Sequence, residues 1–216
     1  MKEEIRRKNG FTLLEMLVVI GIIAILGGAS MLGYSKIVKS AKKAKTQELV
    51  SNAATALTHI LSKNDGVWPD DLIARVSSGN GKLDADTAKV FIRFSLLGLS
   101  YNQKTANGDS SQYRLTGKDR CGIVDADAEA VLKRSTQAST GTKVPTGGTI
   151  ADHILRFAID EDGDGITEAQ VEGGGTLKIR ATAVVWAAGP DGKVDYGSYG
   201  RNDDVYSWRP AQIKAK

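Results

Sequence analysis

The chain has few of the residues from which disulfides, thiolate metal sites and histidine-dependent catalytic centres are built. One cysteine, Cys121, occurs among 216 residues, so an intramolecular disulfide is excluded and a thiolate zinc site is not expected. The two histidines, His59 and His153, leave little material for a Ser-His or Cys-His centre, and neither is assigned a role. A histidine-dependent enzyme is therefore not expected.

Proline and aromatic residues are also scarce. Phe, Trp and Tyr make up 6% of the chain, which predicts a modest core. No proline occurs between Met1 and Val67, so a long helix can run through that stretch without interruption. The hydrophobic share of 41% and the charged share of 25% are ordinary for globular proteins, which excludes disorder of the whole chain.

The small net charge hides an uneven distribution. A charge of +4 and a pI near 9.1 could by themselves indicate nucleic acid or an anionic membrane as a partner. Nine lysines and arginines and three acids lie between Met1 and Lys45, whereas ten acids and four bases lie between Asp160 and Trp208. The acidic second part argues against a DNA-binding surface, and no nucleic-acid partner is expected.

Near its N-terminus the chain has a long apolar run. Residues 11–34 carry a single charged side chain, Glu15, and at about 1.5 Å per residue a helix of this length can cross a hydrocarbon layer of about 30 Å. A transmembrane helix is predicted. The alternative is a secretory signal peptide, because the small residues 27–30 imitate a cleavage site. Glu15 argues against that alternative, since a carboxylate at mid-bilayer costs about 2.5–3.5 kcal/mol and normally has a partner.

The residues around this charge carry a resemblance. Residues 10–15 (GFTLLE), with a short basic segment before them and an apolar run after them, resemble the prepilin signature of type IV pilins and of type II secretion pseudopilins. The resemblance implies cleavage between Gly10 and Phe11 by a prepilin peptidase, and methylation of the Phe11 amine. It also implies pairing of that amine with Glu15 of a neighbouring subunit, where breaking the pair would leave a buried charge. A plain signal anchor that happens to contain Glu15 is the alternative.

The helical pattern continues beyond the apolar run. Apolar residues recur at three- and four-residue steps from Ile37 to Ile60, which predicts an amphipathic helix. A single helix is expected from about Phe11 to Ser62, ending at residues 64–66 (NDG). The Gly66 to Pro69 step that follows is similar to the exit from the long helix in the same family.

The rest of the chain predicts a mixture of helix and strand. Helix-like clustering occurs over 70–75 and 87–99, the latter with strand as an open alternative, and residues 135–148 are expected to form an exposed loop or flexible insertion. Strands are predicted over 154–159 and 177–186. The expected fold class is therefore α+β, with a small C-terminal antiparallel sheet packed on the long N-terminal helix. The resemblance implies that this is a pilin-like fold.

Five regions follow from these patterns: a leader over 1–10, a transmembrane helix half over 11–34, an amphipathic helix half over 35–64, a variable α/β insertion over 65–152, and a β-sheet region with acidic loops over 153–216.

Two acidic segments in the last region are candidate calcium sites. Residues 160–166 (DEDGDGI) and Glu168 resemble the first half of an EF-hand loop, in which oxygens at alternating positions converge on one hard cation. The candidate ligands are Asp160, Asp162, Asp164 and Glu168. The twelfth position departs from the pattern, because it is Val171. A solvated hairpin turn is the alternative reading of this segment.

The second segment is the preferred calcium site. Residues 186–192 (WAAGPDG) and 202–208 (NDDVYSW) resemble the C-terminal part of the major pseudopilin of type II secretion, in which a calcium ion is held. By that resemblance Asp191 and Asp203 or Asp204 are the carboxylate ligands. A cation between them would close a glycine-rich loop that has no disulfide. Exposed turn acids without a metal are the alternative.

The resemblance as a whole implies a structural subunit. It implies a pseudopilin of a type II secretion system that resides in the bacterial inner membrane with its globular part in the periplasm. Such subunits form a homo-oligomeric filament, and their partners are other pseudopilins, the inner-membrane assembly platform and prepilin peptidase. The alternatives are a minor pilin or DNA-uptake pilin of a type IV pilus, and a secreted enzyme or calcium-binding module with a cleaved signal peptide.

Overall fold

The computed structural model describes residues 11–76, 81–94, 96–99, 101–102, 114–115, 117–171, 175–194, 204–209 and 212–213. The chain divides into two compact units, Met1–Ala41 and Lys42–Lys216. The predicted leader, residues 1–10, lies outside the described residues.

One long helix, α1, begins at Leu13 and ends at Lys63, so the continuous helix predicted from residue 11 to residue 62 is confirmed. In the first unit its apolar side chains are exposed, for example Leu13 at 84% and Ile25 at 74%. A contiguous apolar surface of this kind is typical of a segment that is covered by a partner or by lipid.

No helix within the described residues is long and apolar enough to cross a membrane, so the span predicted over residues 11–34 is not shown.

Within the second unit, α1 contributes one apolar stripe to the core. Val50, Ala53, Leu57 and Ile60 are fully buried on it, at the three- and four-residue steps of one helix face. The helix ends where the Gly66 N–H donates to the Leu61 carbonyl at 2.9 Å. Both Asp65 and Gly66 have left-handed backbone there, the conformation that stops a helix and that Gly adopts without strain.

Two short helices and a small sheet complete the core around α1. The helices are α2 (Asp70–Val76) and α3 (Ala85–Arg93), and the Asp84 carboxylate caps α3 by accepting from the Thr87 N–H at 2.9 Å. The main sheet has the order β1-β4-β7-β8 and is antiparallel. Its strands are β1 (Gly81–Lys82), β4 (Arg156–Ile159), β7 (Ala183–Ala187) and β8 (Val205–Tyr206).

Both faces of the central strands are covered, which is why β4 and β7 are buried at every position. One face of β4, with Phe157 and Ile159, packs into the cluster that includes α1, α2 and α3. The other face packs against a second cluster that contains Trp186 and Trp208. That second cluster is closed by a hairpin of β5 (Thr167–Val171) and β6 (Gly175–Ile179).

The fourth helix was not predicted. Residues 126–134 form α4 (Ala126–Arg134), which follows a 3₁₀ helix, Gly117–Cys121, and a two-stranded ladder of β2 (Tyr101–Asn102) and β3 (Arg114–Leu115). Its N-terminal turn is tied to α1 by Lys42 Nζ, 2.7 Å from Asp127 Oδ1, and by an ion pair between Lys45 and Glu129. These contacts attach α4 to the second unit's part of α1.

Several local predictions need correction. The run over 177–186 is two strands, because residues 180–182 turn the chain between β6 and β7. The helix expected over 87–99 ends at Arg93, and Leu97 has left-handed backbone that no helix continues through. The segment over 135–148 is a mostly exposed loop, as one of the two alternatives predicted, but its Ala138 and Val144 are buried with α4 in a cluster of their own.

Candidate N-terminal motif and cation-binding loop

The first turn of α1 has a reciprocal set of hydrogen bonds. The Thr12 N–H and hydroxyl donate to Glu15 Oε2 at 2.8 and 2.9 Å, and the Glu15 N–H donates to the Thr12 hydroxyl at 3.3 Å. This is a capping box, in which two backbone N–H groups of the helix start are satisfied by side chains. The carboxylate of Glu15 is therefore held at the N-terminal end of the helix, beside the residue that cleavage would make the first.

Phe11 is described and its side chain is 78% exposed, whereas Gly10 lies outside the described residues. Of the two residues at the predicted cleavage position, the structure therefore describes only Phe11. Phe11 directly precedes Thr12, whose N–H donates to Glu15, so cleavage after Gly10 would place the new amine one residue before a hydrogen-bond donor of this carboxylate.

The loop after β4 brings three carboxylates together. One oxygen atom from each of Asp160, Asp162 and Asp164 lies within 4.8 Å of the others. Asp160 is buried and accepts from the Gly163 and Gly165 N–H groups at 2.8 Å each, so this carboxylate organises the loop. Both glycines have left-handed backbone, the conformation that this tight turn requires.

The other two carboxylates of the loop are exposed. Asp164 Oδ1 accepts from the Ile166 N–H at 2.7 Å, and Asp162 Oδ1 accepts from the Asp164 N–H at 3.3 Å. A hollow next to the loop is lined by Asp162, Asp164 and Glu168 together with Val76. Carboxylate oxygens at alternating positions around glycines are the donor set that a hard cation such as calcium prefers.

Two contacts fix the surroundings of this loop. The buried Trp68 indole N–H donates to the Asp160 carbonyl at 2.6 Å, which ties the loop to the exit of α1. Glu168 lies on β5 and forms an ion pair with Lys178 on the opposite strand. The pKa of Lys178 is raised, first by the hydrogen bond and charge of Glu168 and then by the charges of Asp164 and Asp162. The lysine is therefore a competing cation beside the loop.

The second candidate calcium site is described only in part. Asp191 lies in a turn, where its Oδ1 accepts from the Lys193 N–H at 2.8 Å. Asp204 is buried, and its Oδ2 accepts from the Tyr206 hydroxyl at 2.9 Å. Asp203 lies outside the described residues. Among the described residues, the cluster of three or more possible metal ligands is the one at Asp160, and it includes neither Asp191 nor Asp204.

Sequence reasoning missed a buried charged pair elsewhere. His153 Nδ1 lies 2.7 Å from Asp125 Oδ2, and both side chains are buried. Asp125 also caps α4 by accepting from the N–H groups of Asp127 and Ala128 at 3.0 Å each. The only sequence signal was an aspartate before an alanine-rich stretch, which is a capping pattern for a helix that was not recognised.

Comparison with known families bears on the N-terminal motif. Residues 5–31 match the model of the prokaryotic N-terminal methylation motif. The chain carries that motif. The finding is consistent with a type IV pilin-like protein, as the resemblance of residues 10–15 predicted. No characterised protein and no solved structure shows significant similarity to the chain.

The motif indicates a type IV pilin-like precursor that is processed at its N-terminus. It points to a structural protein, and it implies processing by prepilin peptidase and polymerisation into filaments. It also suggests anchoring in a membrane before assembly. The long helix followed by a small antiparallel sheet agrees with the predicted α+β fold class.

Proposed function

We propose that this pilin-like chain is a pseudopilin subunit of a type II secretion system. It is anchored in the inner membrane through its N-terminal segment, cleaved after Gly10, and then polymerised into a periplasmic filament that drives protein export. Its partners in this proposal are further copies of itself, other pseudopilins and the inner-membrane assembly platform. The methylation motif at residues 5–31 is the observation that supports polymerisation into a filament.

The geometry of α1 supports assembly through its first part. Apolar side chains from Phe11 to Leu26 are exposed, a surface that is stable only when lipid or other helices cover it. Within that surface Glu15 is a lone carboxylate among the described residues 11–28. When subunits bundle, a neighbour's Phe11 amine would neutralise this charge, and the pair would fix the axial register between subunits.

The choice of a secretion system over a pilus rests on the C-terminal sequence. The segments over 186–192 and 202–208 resemble the closing part of the major pseudopilin, and the acidic composition between Asp160 and Trp208 is unsuited to DNA. The alternative is a minor or DNA-uptake pilin of a type IV pilus.

Deletion of the gene separates the two systems. We expect loss of specific proteins from the culture medium, with surface pili, twitching motility and DNA uptake unchanged, and restoration by the wild-type gene. A strain that secretes normally but loses motility or DNA uptake would show that the pilus alternative is correct.

We further propose that the loop over residues 160–166 binds calcium. The support is the convergence of Asp160, Asp162 and Asp164, the left-handed glycines on either side of Asp164, and the exposure of two of the three carboxylates to an incoming ion. Calcium would then stabilise the folded chain by mass action. Asp191, Asp203 and Asp204 form the second proposed site.

Variants distinguish the two proposed sites. Calcium is expected to raise the melting temperature of the wild-type chain and to protect it from protease, and chelation is expected to reverse both effects. If the loop over 160–166 is responsible, Asp162→Asn abolishes the calcium-dependent shift, and Asp191→Asn retains it. The opposite pattern would assign the ion to the second site, and an identical response with and without chelator would exclude both.

A further inference from the structure

A buried histidine lies where α4 meets the loop over residues 139–152, which we call the 139–152 loop. The His153 side chain has no exposed area, and its Nδ1 is 2.7 Å from Asp125 Oδ2. Its Nε2 is 2.9 Å from the Gly147 carbonyl oxygen. The ring thus bridges the cap of α4 and the tip of the 139–152 loop.

These contacts suit the doubly protonated form of the ring. A carbonyl oxygen can only accept a hydrogen bond, so the contact of Nε2 with the Gly147 oxygen requires a proton on Nε2. The Asp125 side chain accepts at Oδ1 from two N–H groups at the start of α4, and its Oδ2 faces Nδ1. With Oδ2 accepting as well, both ring nitrogens donate, which only the imidazolium cation can do.

The charges around the ring favour that cation. Asp125 and Asp127 come from α4, Asp152 comes from the loop itself with Lys82 of β1 beside it, and the turn at Gly192 presents backbone to Nε2. Burial lowers the pKa of His153, but the hydrogen bond and charge of Asp125, the Gly147 carbonyl and the charge of Asp127 outweigh it and raise the pKa above its usual value.

The 139–152 loop is held by this bridge, by hydrogen bonds of its own and by buried side chains. Its own hydrogen bonds join the Ile150 N–H to the Thr142 carbonyl and the Ala151 N–H to the Thr140 carbonyl, at 2.9 Å each. Its buried Val144 and Ile150 pack against α4. The Gly147 carbonyl at its tip is the point that the ring holds.

We propose that His153 is a proton-dependent switch that holds the 139–152 loop on α4 in its doubly protonated form and releases the loop tip when the ring loses a proton. The neutral ring keeps its remaining proton on Nδ1, because the Asp125 carboxylate is a stronger acceptor than a carbonyl. The Nε2 lone pair then points at the Gly147 oxygen, and two acceptors repel each other. This inference concerns the globular unit and is independent of the proposed secretion function.

The direction with pH follows from the raised pKa. A histidine whose folded-state pKa is raised stabilises the folded form fully below the unfolded value of about 6.5, and this stabilisation is lost as the pH rises through the folded value. The loop is therefore expected to be closed in mildly acidic solution and to open towards alkaline pH.

Amide hydrogen exchange of the full-length chain in detergent tests the switch. Comparing wild type with His153→Gln at the same pH cancels the intrinsic pH dependence of exchange. At about pH 6 we expect the Ile150 and Ala151 amides to be better protected in the wild type than in the variant. The ratio should approach one at alkaline pH, and an unchanged ratio would overturn the proposal.

Two further measurements do not depend on that variant folding well. In the wild type labelled with ¹³C-histidine, the His153 signal should titrate above about pH 6.5 and together with loop opening. The signal of the exposed His59 is identified by His59→Gln. Asp125→Asn keeps an oxygen to cap α4 but removes the negative charge, so the opening midpoint should move to lower pH. An unmoved midpoint, or a His153 titration that does not coincide with opening, would reject the switch.

Discussion

At the residue scale, the decisive side chain of the N-terminal unit is Glu15. In the single chain its carboxylate is occupied by the Thr12 N–H and hydroxyl. Assembly would add a cation from a neighbouring subunit to the same carboxylate, so Glu15 both begins the helix and receives the next subunit. A side chain with only the capping role would not need to be charged, because an amide or a hydroxyl can cap a helix.

Replacing this side chain separates the two roles. Glu15→Ala is expected to leave the protein in the membrane but to abolish filament formation, and Glu15→Gln, which retains an oxygen for the Thr12 N–H, is expected to fail in the same way. Crosslinking in cells and microscopy of sheared filaments measure the result. Glu48→Ala, an exposed glutamate on the same helix, is the matched control and should assemble. Normal filaments from Glu15→Ala would show that charge pairing does not set the register.

At the scale of elements, the parts that sequence periodicity predicts well are those that repeat. The helix α1 was predicted almost to the residue, because one apolar stripe recurs over its whole second half and residues 64–66 end it. The two central strands were located because they are apolar runs, but the turn at residues 180–182 was missed, since it contains no glycine or proline. Hydrophobic runs alone do not show where a strand stops.

For the candidate cation-binding loop, too, only the features set by neighbouring residues were predictable. Local geometry was predictable: the aspartates and glycines of 160–166 make a turn that depends on neighbouring residues only. Long-range contacts were not predictable: the sequence does not show that Trp68 contacts Asp160, and the capping pattern at Asp125 does not show that His153 is its partner. Both join residues far apart in the chain, and their partners are chosen by the packing of whole elements.

Gly122 lies where two backbone segments approach each other closely, and this close approach can be tested. Gly122 has φ of 99°, and a Cβ there would meet the Leu83 carbonyl oxygen and the Asp84 backbone. Gly122→Ala is therefore expected to destabilise the fold by about 1–3 kcal/mol, measured as a lower urea midpoint. Gly141→Ala is the matched control, because nothing lies within 4 Å of its Cβ position, and it should change stability by less than about 1 kcal/mol. Equal effects of both variants would contradict the close approach at Gly122.

At the scale of the whole molecule, net charge proved less informative than its distribution. The overall +4 describes no single surface. Basic residues near α1 and acids in the C-terminal loops belong to parts with separate roles. Other charges of the globular unit meet in pairs at α4, such as Lys42 with Asp127 and Lys133 with Glu129, so its stability depends on keeping these carboxylates ionised.

Two carboxyl groups of the globular unit, Asp152 and Glu129, are expected to make its stability fall in acid. The pKa of Asp152 is lowered, first by the Thr149 hydroxyl and then by the Thr149 N–H. The pKa of Glu129 is lowered because hydrogen bonds from Lys45 and Lys133 outweigh the opposing effect of burial. A carboxyl with a depressed folded-state pKa stabilises the fold above its unfolded value of about 4 and loses that contribution as the pH falls through the folded value.

The urea midpoint should accordingly fall between about pH 5 and pH 3. Asp152→Asn, which cannot titrate, should flatten part of this decrease. Asp65→Asn is the control, because it changes an exposed aspartate outside the 139–152 loop. This variant should show the same acid response as the wild type. The same acid response in wild type and in Asp152→Asn would show that this carboxyl does not contribute.

The central claim, that the chain is a pilin-like precursor processed at its N-terminus, is tested most directly by the mass of the mature protein. The full-length gene is expressed in cells that contain a prepilin peptidase, the membrane fraction is isolated, and the N-terminal peptide is sequenced by mass spectrometry. The account predicts a chain that begins at Phe11 with a methylated α-amine. A chain that retains residues 1–10 beside an active peptidase, or one that begins at Ser30, would contradict it.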